Sequence, residues 1–272
     1  MTAELDVQSI GYNDFRAVLE RYPSVRPDKL TDLDEQRYVS IPANLAKLAQ
    51  VEEAHLTKQE LVTLVEWKVS HGKFRPSLKK LAQENDEERV EAVTKTAFDD
   101  GDTGKALKHL CTLRGVGPAT ASLLLSVRKI DDVPFFSDEL FRWCSWEDKP
   151  GSGWDRGIKY NNKEYAELTK AVDELRSRFS TDGQSVSAVD CEKVAYVLGK
   201  TEVDLSVQLA TASTPPESSK QATQATAITA SDTGEDTTAP DPASKTSRKR
   251  ARKDDDVADE TSAPRRSTRS KK

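Results

Sequence analysis

The chain has 272 residues, with 41 Lys and Arg against 46 Asp and Glu, a formal net charge of −5 at neutral pH. That length holds one domain with a sizeable core plus a tail. No run of about 18 apolar residues predicts a membrane span, and no basic stretch followed by an apolar run marks a secretory leader. Cys111, Cys144 and Cys191 lie far apart, which excludes a disulfide framework or a metal-ligand spacing and fits reduced thiols in a nucleus or cytosol. No metal and no cofactor are expected.

The folded part reads as almost wholly helical. A first helix is predicted around 13–21, closing at Pro23. The segment 23–41 is charged and Pro-interrupted and reads as an irregular arm. A short helix follows over 43–50. Thr57 can cap the next helix, where Leu61, Leu64, Val65 and Lys68 recur on one face at helical spacing. Residues 86–98 place Val90, Val93 and Ala97 together, and 104–113 lead on with Leu107, Leu110 and Cys111. A helix over 118–128 turns Ala121, Leu124 and Leu125 inward. After a loop over 146–162 rich in Gly, Pro and Trp, the residues Tyr165, Leu168, Val172, Leu175 and Phe179 form one buried stripe. Ser187 with Asp190 resembles a capping box opening a last helix, in which Ala188, Cys191, Ala195 and Leu198 face inward and which Gly199 can stop. About ten helices in roughly 200 residues make one compact all-α domain, residues 1–206.

The composition changes near residue 206. From Val207 onward the chain has no aromatic residue and few large aliphatics. Such a segment buries too little apolar surface to offset its ordering entropy, so 207–272 reads as a disordered, low-complexity tail. The tail holds 12 of the 41 basic and 10 of the 46 acidic residues, which leaves residues 1–206 with 29 against 36, a net of −7. An acidic domain does not coat DNA broadly. Nucleic-acid contact must therefore be local.

The most specific local pattern is Leu113-Arg114-Gly115-Val116-Gly117-Pro118-Ala119-Thr120-Ala121. Two glycines permit a tight turn, and Pro118 suits the first turn of the following helix because its missing N–H costs no hydrogen bond there. The N–H groups around Gly115, Val116, Gly117, Ala119 and Thr120 would then face outward from a helix N-terminus, a site for a phosphate of the double-stranded DNA backbone. This pattern resembles the signature of the helix-hairpin-helix, and the likeness extends to the helix-hairpin-helix DNA glycosylase superfamily. In that superfamily an aspartate follows roughly one helix and one loop beyond the hairpin. Val133-Pro134-Phe135-Phe136-Ser137-Asp138 puts Asp138 at the matching spacing.

The resemblance implies an all-α, glycosylase-like domain with a central hairpin. It also implies main-chain carbonyls of Cys111, Leu113 and Val116 that hold a monovalent cation beside the phosphate. Where bifunctional members carry a lysine, this chain has Ala119, so the resemblance implies no lyase acting through the hairpin. The iron–sulfur cysteines of some members are absent too. Ser137 reads as an N-cap, with Asp138 and Glu139 offsetting the helix macrodipole; alternatively, Asp138 is the catalytic carboxylate of base excision.

Lys68, His71, Lys73 and Arg75 surround Trp67 and Phe74 and read as a basic–aromatic patch. Trp143, Trp146 and Trp154 either line a base pocket or belong to the core. In the tail, Arg248, Lys249, Arg250, Arg252 and Lys253 and a second cluster near Arg265 read as a nuclear localisation signal for an import receptor. The sequence thus favours a nuclear DNA-binding or scaffold protein, non-catalytic, working with protein partners in repair or chromatin. The alternative is a monofunctional DNA glycosylase using Asp138.

Overall fold

In a computed structural model of the chain, residues 5–51, 53–73, 75–146 and 153–202 are described. The predicted tail, including its basic clusters, lies outside the described residues. So does Phe74. Every regular element among the described residues is helical, and no strand occurs among them. The domain is all-α. No helix among the described residues is long and apolar enough to cross a membrane.

The N-terminal third departs most from the sequence-based expectation. Helix α1 (Tyr12–Leu19) is followed at once by α2 (Tyr22–Val25), with Pro23 inside the first turn of α2. A 3-10 turn (Asp28–Leu30), α3 (Thr31–Glu35) and a π-helical turn (Gln36–Ser40) then run into α4 (Ile41–Leu48). The expected irregular arm over 23–41 is therefore a helical wall, interrupted by an extended break at Arg26 and Pro27. Its charges are what mislead, because two of them point inward. Asp34 accepts from Trp67 Nε1 at 2.7 Å and from the Tyr22 hydroxyl at 3.1 Å. Arg37 is fully buried against Glu192.

Three helices form the interior. Helix α5 (Lys58–His71) starts at a capping box, with Thr57 accepting from the Glu60 N–H and Glu60 reaching back to the Thr57 N–H. Helix α9 (Pro118–Arg128) buries every residue from Ala119 to Val127, and α12 (Ala188–Lys200) opens on the expected Ser187–Asp190 capping box. All three are covered on nearly every side, so their sequences carry apolar residues without a clean stripe. Around them lie α6 (Pro76–Gln83), α7 (Glu87–Asp99), α8 (Thr103–Leu110), α10 (Asp138–Cys144) and α11 (Asn162–Thr181). Helix α11 buries the expected stripe of Tyr165, Leu168, Val172, Leu175 and Phe179.

Gly199 does not stop α12, which continues to Lys200. A Cβ there would come within 2.7 Å of Glu139 Cγ. The glycine lets α10 approach, and the adjacent Lys200 ammonium pairs with Glu139 at 2.7 Å.

Candidate functional site

The turn between α8 and α9 is held from outside by Asn85 and by Arg89, which donates to the Thr112 carbonyl at 3.0 Å. Asn85, just past α6, donates through Nδ2 to the Arg114 carbonyl at 3.0 Å and accepts from the Arg114 N–H at 2.8 Å. Both main-chain hydrogen-bonding groups of Arg114 are satisfied in this way, and Asn85 is itself buried. Gly115 then turns through φ +78° against α6, where a Cβ would meet the Leu78 carbonyl and Leu81 Cβ at 3.0 Å. Glycine is needed there on both counts. Gly117 differs, since its φ is −104° and a Cβ would meet nothing within 4 Å. Among the described residues, no intramolecular hydrogen bond engages the N–H groups of Gly117, Ala119 or Thr120. These donors sit at the N-terminus of an eleven-residue helix. The carbonyl of Leu113, one of three expected to hold a cation, accepts from the Val116 N–H at 3.2 Å.

Asp138 is placed by a second set of bonds. Ser122 Oγ on α9 accepts from the Phe136 N–H at 2.9 Å, and the Tyr165 hydroxyl donates to the Pro134 carbonyl at 3.0 Å. The first of these bonds ties the segment leading into α10 to α9, and the second ties it to α11. The N-cap is Ser137, whose Oγ accepts from the Leu140 N–H at 3.1 Å. Asp138 instead accepts a 2.6 Å hydrogen bond from the Tyr160 hydroxyl and lies 4.0 Å from Arg142. Tyr160 adopts φ +53°, a left-handed conformation costly for a non-glycine residue. Burial, reinforced by Asp138, keeps the Tyr160 proton on the phenol well above its usual range. Nothing in the sequence announces Tyr160, which lies in the loop read as Gly-, Pro- and Trp-rich.

The two constructions meet in one cavity of about 320 Å³, lined by Gly115 and Gly117 to Thr120, by Phe135 to Glu139, by Lys68, His71, Lys73 and Arg75, and by Lys159 and Tyr160. That volume falls at the low end of the roughly 300–1,000 Å³ usual for small-molecule sites. Four cations stand around it. Of its two carboxylates, Glu139 is already paired with Lys200. A larger groove of about 760 Å³ lies along α8 and α11, but it gathers none of the predicted site residues.

The basic patch needs one correction. Lys73 and Arg75 are exposed and Lys68 is half-buried, but His71 is 4 % exposed and no surface base. Its ring stacks on Trp67 at 4.4 Å and lies 4.2 Å from the Tyr196 ring. Burial, with Lys200 and Arg37 adding to it, pushes its pKa down to about 3, so the imidazole is neutral at physiological pH. Trp143 is core, donating to the Leu5 carbonyl at 2.8 Å, while Trp146 and Trp154 pack on each other away from the cavity. Among the described residues, no group of His, Cys, Asp and Glu is arranged to hold a metal ion. No protein-family model, curated protein or solved structure matches this chain.

Proposed function

We propose that this chain binds duplex DNA through a helix-hairpin-helix formed by α8, the Gly115–Gly117 turn and α9, and that the adjoining cavity receives an extruded nucleotide for base excision. The observation that carries this reading is the convergence on one cavity of three features far apart in the sequence. They are the unpartnered N–H groups of the hairpin, the Asp138 carboxylate and the basic residues Lys68, Lys73 and Arg75. The N–H groups and the dipole of α9 hold a backbone phosphate. Lys73 and Arg75 contribute salt-sensitive attraction to its neighbours. Asp138, oriented by Tyr160, faces the sugar of the extruded nucleotide and supports the charge that develops as the base departs.

The sequence favours a non-catalytic module. A cavity-facing Asp138, relieved of capping duty by Ser137, tips the reading towards a glycosylase. A carboxylate needed only to offset a macrodipole has no reason to be held by a strained tyrosine. The hairpin contact is common to both readings.

Gly117→Asp tests that contact. There is room for the side chain, so the fold is retained, while its carboxylate lies where the phosphate would bind. Gel-shift titration of the full chain at physiological salt should show affinity for duplex DNA falling about tenfold or more. Unchanged affinity in a protein with the wild-type helical circular-dichroism spectrum would refute the phosphate site. Gly115→Asp is unsuitable, because the left-handed backbone and the contact with α6 would disrupt the turn itself.

We further propose that the tail directs the protein to the nucleus through Arg248, Lys249, Arg250, Arg252 and Lys253 and the cluster from Arg265, read by an import receptor. A fluorescent fusion lacking residues 245–272 should spread into the cytoplasm. Retention in nuclei would place the signal elsewhere in the chain.

A further inference from the structure

Two side chains of α5 meet the cavity without partners of their own. Lys68 and His71 stand three positions apart in the last turn of the helix, hence on one side of it, and both line the cavity. The rings of Trp67 and Tyr196 lie 4.4 and 4.2 Å from the His71 ring, at interplanar angles of 25° and 37°. With both faces covered in this way, the imidazole can meet a ligand only along its edge. Among the described residues no hydrogen bond engages either of its nitrogens, and Nε2 is buried. Lys68 is half-buried and, among the described residues, makes no hydrogen bond and no ion pair. Desolvation draws its pKa below the ordinary lysine range, an effect that Asp138 opposes. A buried polar group without a partner is costly, and a ligand that supplies the missing partner is bound the better for it.

The two groups read a ligand's edge differently. An ammonium donates and never accepts, whereas a neutral imidazole donates from one nitrogen and accepts at the other. Because the imidazole can exchange those roles, the discrimination falls to Lys68. The edge that suits the pair has a carbonyl oxygen for Lys68 beside an N–H for His71. We propose that Lys68 and His71 select an extruded base by such an O=C–N–H edge, which makes deaminated bases, uracil and hypoxanthine, the class this cavity takes. The inference rests on the DNA reading above. Cytosine and adenine carry an amino group in place of the carbonyl, and it would meet the ammonium donor to donor. Deamination replaces that amino group with oxygen and places a hydrogen on the ring nitrogen beside it, so the edge changes from refused to accepted. Guanine and thymine own the same edge but sit in matched pairs. A deaminated base faces the partner of its parent, and the mispairing lowers the cost of drawing it out.

Gel shift with the full chain compares two mismatched duplexes, one with uracil opposite guanine and one with cytosine opposite adenine. Both target bases are mispaired, and only uracil offers the O=C–N–H edge. The wild type should bind the uracil duplex about tenfold more tightly. Calorimetry with the free nucleotides should show the same preference, for deoxyuridine monophosphate over deoxycytidine monophosphate. Lys68→Met, which keeps the stem and removes the donors, should bring both ratios close to unity. His71→Phe, which keeps a ring between Trp67 and Tyr196, should lower them, with circular dichroism reporting the fold of each variant. Equal binding of the two duplexes by the wild type, or an unchanged ratio in Lys68→Met, would overturn the proposal and leave the DNA reading standing. Selective binding of deoxyuridine monophosphate by a protein that shifts no duplex would support the edge recognition and overturn the DNA reading. Binding of neither duplexes nor nucleotides would overturn both.

Discussion

Glu192→Ala is expected to destabilise the domain by about 3–5 kcal/mol, the cost of leaving a buried cation without its anion. Arg37 is fully buried, and its Nη2 donates to Glu192 Oε2 at 3.2 Å and to Ser126 Oγ at 2.8 Å. Its Nε and Nη1 are buried and, among the described residues, have no hydrogen-bond partner. The Tyr38 hydroxyl would also lose its acceptor, Glu192 Oε1, at 2.9 Å. The rings of Tyr38 and Trp67, 4.9 and 5.2 Å from Arg37 Cζ, remain but cannot replace a carboxylate. The pair is nevertheless expensive when intact. Burial raises the Glu192 pKa more than Arg37 and Tyr38 lower it. A carboxyl whose pKa is raised on folding contributes stability below its unfolded value and loses that contribution as pH rises through the folded value. At neutral pH the ionised pair therefore gives little net stability. Replacing both members by methionine should recover most of what Glu192→Ala loses. Urea unfolding of the wild type, Arg37→Met, Glu192→Met and the double variant closes the cycle, with Glu192→Ala measured beside them. A loss below about 1 kcal/mol for Glu192→Ala would refute this account.

The same pair shows where the sequence stops being legible. Helix starts are written locally: Thr57 with Glu60, Ser187 with Asp190 and Pro118 after Gly117 each specify a boundary from within a few residues, and each is where it is expected. The stripe of α11 is as plain, because one face of a surface helix is enough to be seen. The wall from 22 to 41 is not, because what makes it a buried element is polar and distant. Asp34 finds Trp67 33 positions away, and Arg37 finds Glu192 155 positions away. Read alone, those charges belong to a solvated arm. His71 fails for the opposite reason, since its basic neighbours suggest a surface while Trp67 and Tyr196 bury it. Of the candidate site, the Gly115–Gly117 turn before α9 and the position of Asp138 at the start of α10 were legible as local patterns. Asn85, Tyr160 and the unpaired state of Lys68 were not, since each depends on what another helix brings close.

Under the proposed glycosylase reading, Asp138→Asn should strongly slow base release while leaving the fold and the DNA contact in place. The substitution keeps the shape and an oxygen that can accept from the Tyr160 hydroxyl, now 2.6 Å from Oδ1. Ser137 continues to cap α10 through the Leu140 N–H. Stability should therefore change by less than about 1 kcal/mol, the size of a lost interaction with the helix dipole. What disappears is the negative charge facing the sugar, and with it about 10²- to 10⁴-fold in the rate of base release, the range for a positioned acid–base group. Assays use duplexes carrying alkylated, oxidised and deaminated bases, with binding measured on the same substrates. Tyr160→Phe gives the companion measurement. It frees Asp138 from its donor and relieves none of the backbone strain, so it should slow release by less than Asp138→Asn does, with binding unchanged. A wild type that binds every duplex and releases no base would remove the catalytic reading and leave the hairpin as a non-catalytic DNA contact. Release that survives in Asp138→Asn would move the chemistry to another group. Among the described residues, the other carboxylate lining the cavity is Glu139, which is held by Lys200 at 2.7 Å and would have to break that pair to act.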